Sequence, residues 1–169
     1  MALAQLSGVS NEEIKTGMAS FRGVDRRFDF KIKTDKVVYL SDYAHHPEEI
    51  KQSILSMRAL YGDKKLTGIF QPHLYTRTRD FYLEFAESLS LLDEVILTDI
   101  YPARELPIEG VSSQLIYDNL RPDIDKILCT KEEVIDILKK KEIEVLMTLG
   151  AGDIENYAPQ ICEILNERC

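Results

Sequence analysis

Val37-Val38-Tyr39-Leu40-Ser41-Asp42-Tyr43-Ala44-His45-His46-Pro47-Glu48-Glu49-Ile50 is the stretch whose reading decides the fold class. Its first four residues are apolar without alternation, as in a strand covered on both faces. Pro47 followed by two acids opens a helix, because proline fits the first turn and acids favour the positive end of the helix dipole. Ile50, Ile54 and Met57 then fall on one helical face.

The same alternation continues toward the C-terminus. Leu66–Phe70, Val95-Ile96-Leu97, Ile127-Leu128-Cys129 and Val145-Leu146-Met147 are short apolar runs. Helical patterns separate them: Phe81, Phe85, Leu89 and Leu92; then Leu115, Ile116 and Leu120, stopped by Pro122. A capping box of Thr130 and Glu133 then opens a helix through Val134 and Leu138. Ile154 to Leu165 forms the last helix, which Pro159 either kinks or restarts. Upstream, Phe28, Phe30 and Ile32 alternate with polar and charged residues as one more strand, and Thr34-Asp35 is a turn. Six strands separated by amphipathic helices predict an α/β fold, a three-layer sandwich around a mostly parallel sheet. Before them, Ser10 to Glu13 is a capping box, and Ile14, Met18 and Phe21 follow at helical spacing. This short helical arm cannot bury its apolar face alone and needs a neighbour.

The chain has 169 residues and a net charge of −8, which excludes a general nucleic-acid binder. No apolar run approaches a membrane span, and the N-terminus lacks the pattern of a signal peptide, so the expectation is a cytoplasmic protein. Cys129, Cys162 and Cys169 show no metal-ligand spacing and read as reduced thiols. Neither a phosphate loop, a nucleophile elbow nor a zinc-binding helix motif is present.

In an open parallel sheet, ligands bind outside the carboxyl ends of the strands. Four strand-end segments carry the chemistry: Asp42–Pro47, Gln71–Thr78, Asp99–Glu105 and Gly150–Asp153. All three histidines lie in the first two, and parallel strands would bring them to one rim. Arg77 stands at the start of a helix, where a cation beside free helix amides would cradle a carboxylate or phosphate. Taken singly, Asp42, Asp99 and Asp153 read as readily as turn formers or caps, and Arg26 and Arg27 as a solvated pair.

These segments, in this order, together with Phe21-Arg22-Gly23-Val24-Asp25-Arg26-Arg27-Phe28, resemble the Mur ligase family. The resemblance implies residues 1–23 as the tail of a central ATPase domain and residues 24–169 as a Rossmann-like, amino-acid-binding C-terminal domain. It implies an ATP- and Mg2+-dependent ligase that joins L-alanine to UDP-N-acetylmuramate through an acyl phosphate, in peptidoglycan synthesis. The chain alone, lacking the phosphate loop, is expected to be inactive, and the missing domains are its partners. By position, Arg26 and Arg27 match a nucleotide-contacting pair, and Asp42 an aspartate that bonds the ATP ribose. Tyr43 and His45 match positions near the incoming amino acid. His73 and Arg77 lie in the matching loop, with Arg77 on the alanine carboxylate. Where many members carry an arginine, this chain has Leu74.

Two other enzyme readings remain. One is a recycling ligase that adds a preformed tripeptide to the same sugar nucleotide. The other is a divalent-metal phosphoesterase using Asp42, His45, His46, Asp99 and Asp153 as ligands. A non-enzymatic binding module is the third.

Overall fold

The structure, a computed structural model, describes residues 2–21 and 23–168; Met1, Cys169 and Arg22 of the first matching segment lie outside them. Two helices form the arm, α1 (Ala2–Leu6) and α2 (Asn11–Ser20), and none of their residues is buried. The Ser10–Glu13 capping box is formed. Leu3, Leu6, Met18 and Phe21 are exposed.

Six strands come next: β1 (Asp29–Lys33), β2 (Val38–Asp42), β3 (Leu66–Phe70), β4 (Glu94–Leu97), β5 (Asp125–Leu128) and β6 (Val145–Leu149). They form one sheet in the order β1-β2-β6-β3-β4-β5, with β1 antiparallel to β2 and every other pair parallel. The helices α3 (Pro47–Leu60), α4 (Tyr75–Leu89) and α5 (Gln114–Asn119) cover one face. The other face carries α6 (Val134–Lys139) and α7 (Ala158–Asn166).

Alternate strand residues feed the two cores. Val38, Leu40, Phe70, Val95, Leu97, Val145 and Met147 pack with Ile54, Phe85 and Leu89. Tyr39, Ile69, Ile96 and Leu146 pack with Val134, Leu138, Ile161 and Leu165. Burial on both faces explains why these runs show no polar alternation.

β1 departs from its sequence pattern. The register shifts between Phe30, opposite Leu40, and Ile32, opposite Tyr39. An extra residue in one strand of an antiparallel pair turns the next side chains to the opposite face. Phe28 and Phe30 therefore lie against the α3–α4 core, while Ile32 enters the other. Two helix starts are also tighter than periodicity suggests. Residues Lys131–Glu133 form a 3-10 turn before α6, with the Thr130–Glu133 capping box in place. Residues Asp153–Tyr157 form another, and Pro159 sits in the first turn of α7, so the proline restarts the helix. Among the described residues no helix is long and apolar enough to cross a membrane.

β6, the last strand in sequence, lies between β2 and β3. The chain leaves β2 in one direction and returns to fill the gap, which makes this the topological switch point. Along the carboxyl edge the strand ends therefore run in the order Asp42, Leu149, Phe70, Leu97.

Candidate functional site

The turns beyond this edge are tied together before any side chain is considered. The Gly150 amide donates to the Asp42 carbonyl at 3.2 Å, and the Gln71 amide to the Leu149 carbonyl at 3.1 Å. The Tyr101 amide donates to the Pro72 carbonyl at 2.8 Å, and the Leu74 amide to the Tyr101 carbonyl at 3.0 Å. A parallel bridge between His73 and Tyr101 carries the β3–β4 pairing past the strand ends.

Gln71 is 2 % exposed and fills the gap between the turns. Its Nε2 donates to Asp153 Oδ1 at 2.8 Å, and its Oε1 accepts from the Ile154 amide at 3.0 Å. Only glycine fits beside it: a Cβ on Gly152 would stand 2.2 Å from Gln71 Oε1. Gly150, at φ +141°, would bring its Cβ to 2.7 Å from the Gln71 carbonyl oxygen.

On this frame the predicted residues converge. The rings of His45 and His73 are 6.1 Å apart, and His73 stacks on Tyr101 at 5.6 Å with 20° between planes. Arg77, in the first turn of α4, reaches back past Leu74 to place Nη1 3.3 Å from Nδ1 of His73, which lies outside the helix. Tyr43 meets His45 edge-on at 5.2 Å. Burial, then the Arg77 charge, hold the His73 imidazole below its ordinary pKa, which keeps it neutral at pH 7.

Arg26 and Arg27 stack against the same tyrosine, with guanidinium carbons 4.8 and 5.9 Å from the Tyr43 ring centre. Such stacking is the cation–π arrangement. Arg26, at φ 62°, and Phe28, at φ 49°, adopt the left-handed backbone that turns the chain here. The Tyr43 amide fastens that turn to the Arg26 carbonyl at 2.6 Å. Arg26 Nη2 donates to the Gly152 carbonyl at 3.3 Å, while its buried Nε has no hydrogen-bond partner. Asp42 closes a turn by accepting from the Ala44 amide at 3.3 Å, and its other oxygen accepts from Ser53 at 2.7 Å. Asp42, Arg27, Tyr43 and Ser53 line a cavity of about 260 Å³.

Three expectations need correction. The amides at the start of α4 are not free: the Glu105 carboxylate accepts from the Thr76 amide at 3.0 Å and the Thr76 hydroxyl at 2.5 Å. Those bonds hold the Glu105 carboxyl below its ordinary pKa. The anion site at this helix start is already filled by a side chain of the protein, and Arg77 remains as the cation. His46 does not join the other histidines; its ring lies 5.1 Å from Phe81. The five proposed metal ligands do not gather either. Asp42 is held by Ser53, Asp153 by Gln71 and Lys131, and Asp99 is exposed. Among the described residues no group of three or more His, Cys, Asp or Glu side chains could hold a metal ion.

Leu74 has φ 74° at the residue preceding α4. Its carbonyl accepts from both the amide and hydroxyl of Thr78, at 3.1 and 3.0 Å, which fastens this left-handed residue to the helix. Sequence reasoning missed Gln71, Glu49 and Ser53.

Comparisons with known proteins agree on one family. The model described as "Mur ligase, glutamate ligase domain" matches residues 26–154. A UDP-N-acetylmuramate–L-alanine ligase from Phocaeicola vulgatus is 78 % identical over 168 residues, covering 99 % of this chain and 37 % of the relative. One from Parabacteroides distasonis is 58 % identical over 165 residues, covering 98 % of this chain and 36 % of the relative. A solved UDP-N-acetylmuramate–alanine ligase from Thermotoga maritima superposes with a TM-score of 0.79 at 26 % identity, covering 99 % of this chain and 36 % of that one. The chain thus spans little more than a third of the length of these relatives.

Proposed function

The chain belongs to the Mur ligase family, and from that premise we propose that it is the amino-acid-binding domain of an ATP-dependent ligase joining L-alanine to UDP-N-acetylmuramate. The observation that carries this reading is the meeting of His45, His73 and Arg77 on one rim. The reaction phosphorylates the sugar's lactyl carboxylate, and the alanine amine then displaces phosphate from the acyl phosphate. The amine must be neutral and held near the acyl carbon, a positioning task worth several kcal/mol.

Arg77 takes the alanine carboxylate in a charge-assisted pair. His73, neutral beside it, presents its ring to the same small ligand. The cavity of Asp42 and Arg27 suits a nucleoside, with Asp42 accepting from ribose hydroxyls and Arg27 facing phosphate. The partnerless Arg26 Nε beside Tyr43 is a further donor available to an anion. In this reading magnesium and the triphosphate are held by the central ATPase domain of the full-length ligase. Residues 1–23 are the end of that domain, which accounts for the exposed Leu3, Leu6, Met18 and Phe21. The chain by itself is inactive. The nucleotide-linked substrate places the enzyme in the cytoplasm.

The test is alanine-dependent phosphate release by the full-length ligase. Arg77→Ala should raise the KM for alanine about 10- to 100-fold, the worth of one charged hydrogen bond, with the KM for ATP unchanged. Turnover with a tripeptide in place of alanine, or an unchanged alanine KM in the variant, would refute the assignment.

A further inference from the structure

The two imidazoles on the rim are set in opposite tautomers by their neighbours. His45 Nδ1 is 3.0 Å from the Tyr43 carbonyl oxygen and 3.3 Å from Glu49 Oε2. Both are acceptors only, so in the neutral ring this nitrogen carries the hydrogen and Nε2 keeps the lone pair. His73 Nδ1 faces a guanidinium N–H of Arg77, which only donates, so His73 carries its hydrogen on Nε2. One ring thus carries an acceptor and the other a donor, with ring centres 6.1 Å apart.

Glu49 is fixed for this work. The oxygen that faces the imidazole also accepts from the His45 amide at 3.0 Å and the His46 amide at 3.2 Å. Partial burial pushes its carboxyl up, but those two amides and the neighbouring imidazoles outweigh burial and hold it below its ordinary pKa. The groups facing His45 are Glu49 on α3, Tyr43 on its own turn, and His73 from the β3–α4 turn with Arg77 behind it. Glu49 is the one carboxylate among them.

Building on the amino-acid ligase reading, we propose that His45 is the base that deprotonates the incoming ammonium and that Glu49 is its positioning residue. An N–H bond of the ammonium breaks and a hydrogen–Nε2 bond forms on His45. The freed lone pair attacks the acyl carbon, the phosphate departs with the C–O bonding electrons, and the second proton lost by the nitrogen passes to that departing phosphate. The imidazolium that results is opposed by the Glu49 carboxylate at Nδ1, the arrangement by which a carboxylate orients a histidine base.

Two measurements test this. Ring 15N spectra of the 169-residue chain should show His45 as the Nδ1–H tautomer; the Nε2–H tautomer overturns the proposal. In the full-length ligase, kcat/KM for alanine is measured from about pH 7 to about pH 9 for His45→Gln and Glu49→Gln. Glutamine at 49 still accepts from the two amides, so the start of α3 is kept. His45→Gln should lose on the order of 100-fold or more at pH 7. That deficit should narrow as the pH rises and solvent itself supplies neutral amine. Glu49→Gln should lose less, with the same trend. A deficit constant across pH would make His45 a binding residue only, and a parental profile in Glu49→Gln would remove Glu49 from the mechanism. Failure of the parent ligase to use alanine would instead defeat the underlying reading, so the two failures are distinct.

Discussion

Alanine at Gly152 should destabilise the rim in a way that Gln71→Ala relieves. The new Cβ would stand 2.2 Å from Gln71 Oε1, 2.9 Å from Gln71 Cδ and 2.8 Å from Tyr101 Cβ. The Gln71 carboxamide must move, and the buried Ile154 amide then loses its acceptor. An unpaired buried donor costs about 1–3 kcal/mol. Crowding against Tyr101 adds about 1 kcal/mol. The total is about 2–4 kcal/mol, and for a domain of this size the melting temperature should fall by roughly 5–15 °C. Gln71→Ala alone orphans the same amide at about 1–3 kcal/mol. In that background the added methyl keeps its contact with Tyr101 but loses both contacts with the Gln71 carboxamide. The double variant should therefore be more stable than the sum of the singles by about 1–3 kcal/mol, the cost of the orphaned amide counted once instead of twice. Thermal and urea unfolding of the four proteins measures this. Single effects that add to within about 0.5 kcal/mol, or a Gly152→Ala protein that melts with the parent, would refute the reasoning.

Glu105→Gln tests the cap on α4. The Glu105 carboxyl is depressed by the Thr76 hydroxyl and amide. A depressed folded-state pKa gives stability that is present above the unfolded value and lost as pH falls through the folded one. The parent should therefore be the more stable at neutral pH, with the gap closing on acidification, as read from urea midpoints across pH; a gap independent of pH would count against the cap. Cys129 should resist alkylation near neutral pH. Burial, with Glu133 and Asp99 adding negative charge, pushes its thiol up to about 11, and the thiolate is the reactive form. Timed labelling with mass spectrometry checks this, and labelling as fast as in urea would contradict it.

The features legible in the sequence and the features hidden from it divide along one physical line. A strand buried on both faces writes itself as an apolar run, and in a parallel sheet the residues just after each run arrive at the same edge. Tyr43, His45, His73 and Arg77 could be placed on one rim by that argument alone. Partnerships across space leave no such trace. The insertion of β6 between β2 and β3 brings Gly152 against Gln71, far apart along the chain, and the run Val145–Met147 says nothing of it. Glu105 closes the start of α4 from 29 residues away, so in the sequence those amides read as free for a ligand. The β1 bulge turns Ile32 over although its spacing from Phe30 is that of one face. Glu49 shows how a local signal hides a distal one: an acid in the first turn of a helix is sufficiently explained by capping, and capping is indeed what it does. The carboxylate fixed by those two amides is also the one that faces His45 Nδ1. The requirement for a well-made helix start and the requirement for an oriented imidazole are met by one oxygen, so a variant that keeps the cap and removes the charge is the means of separating them.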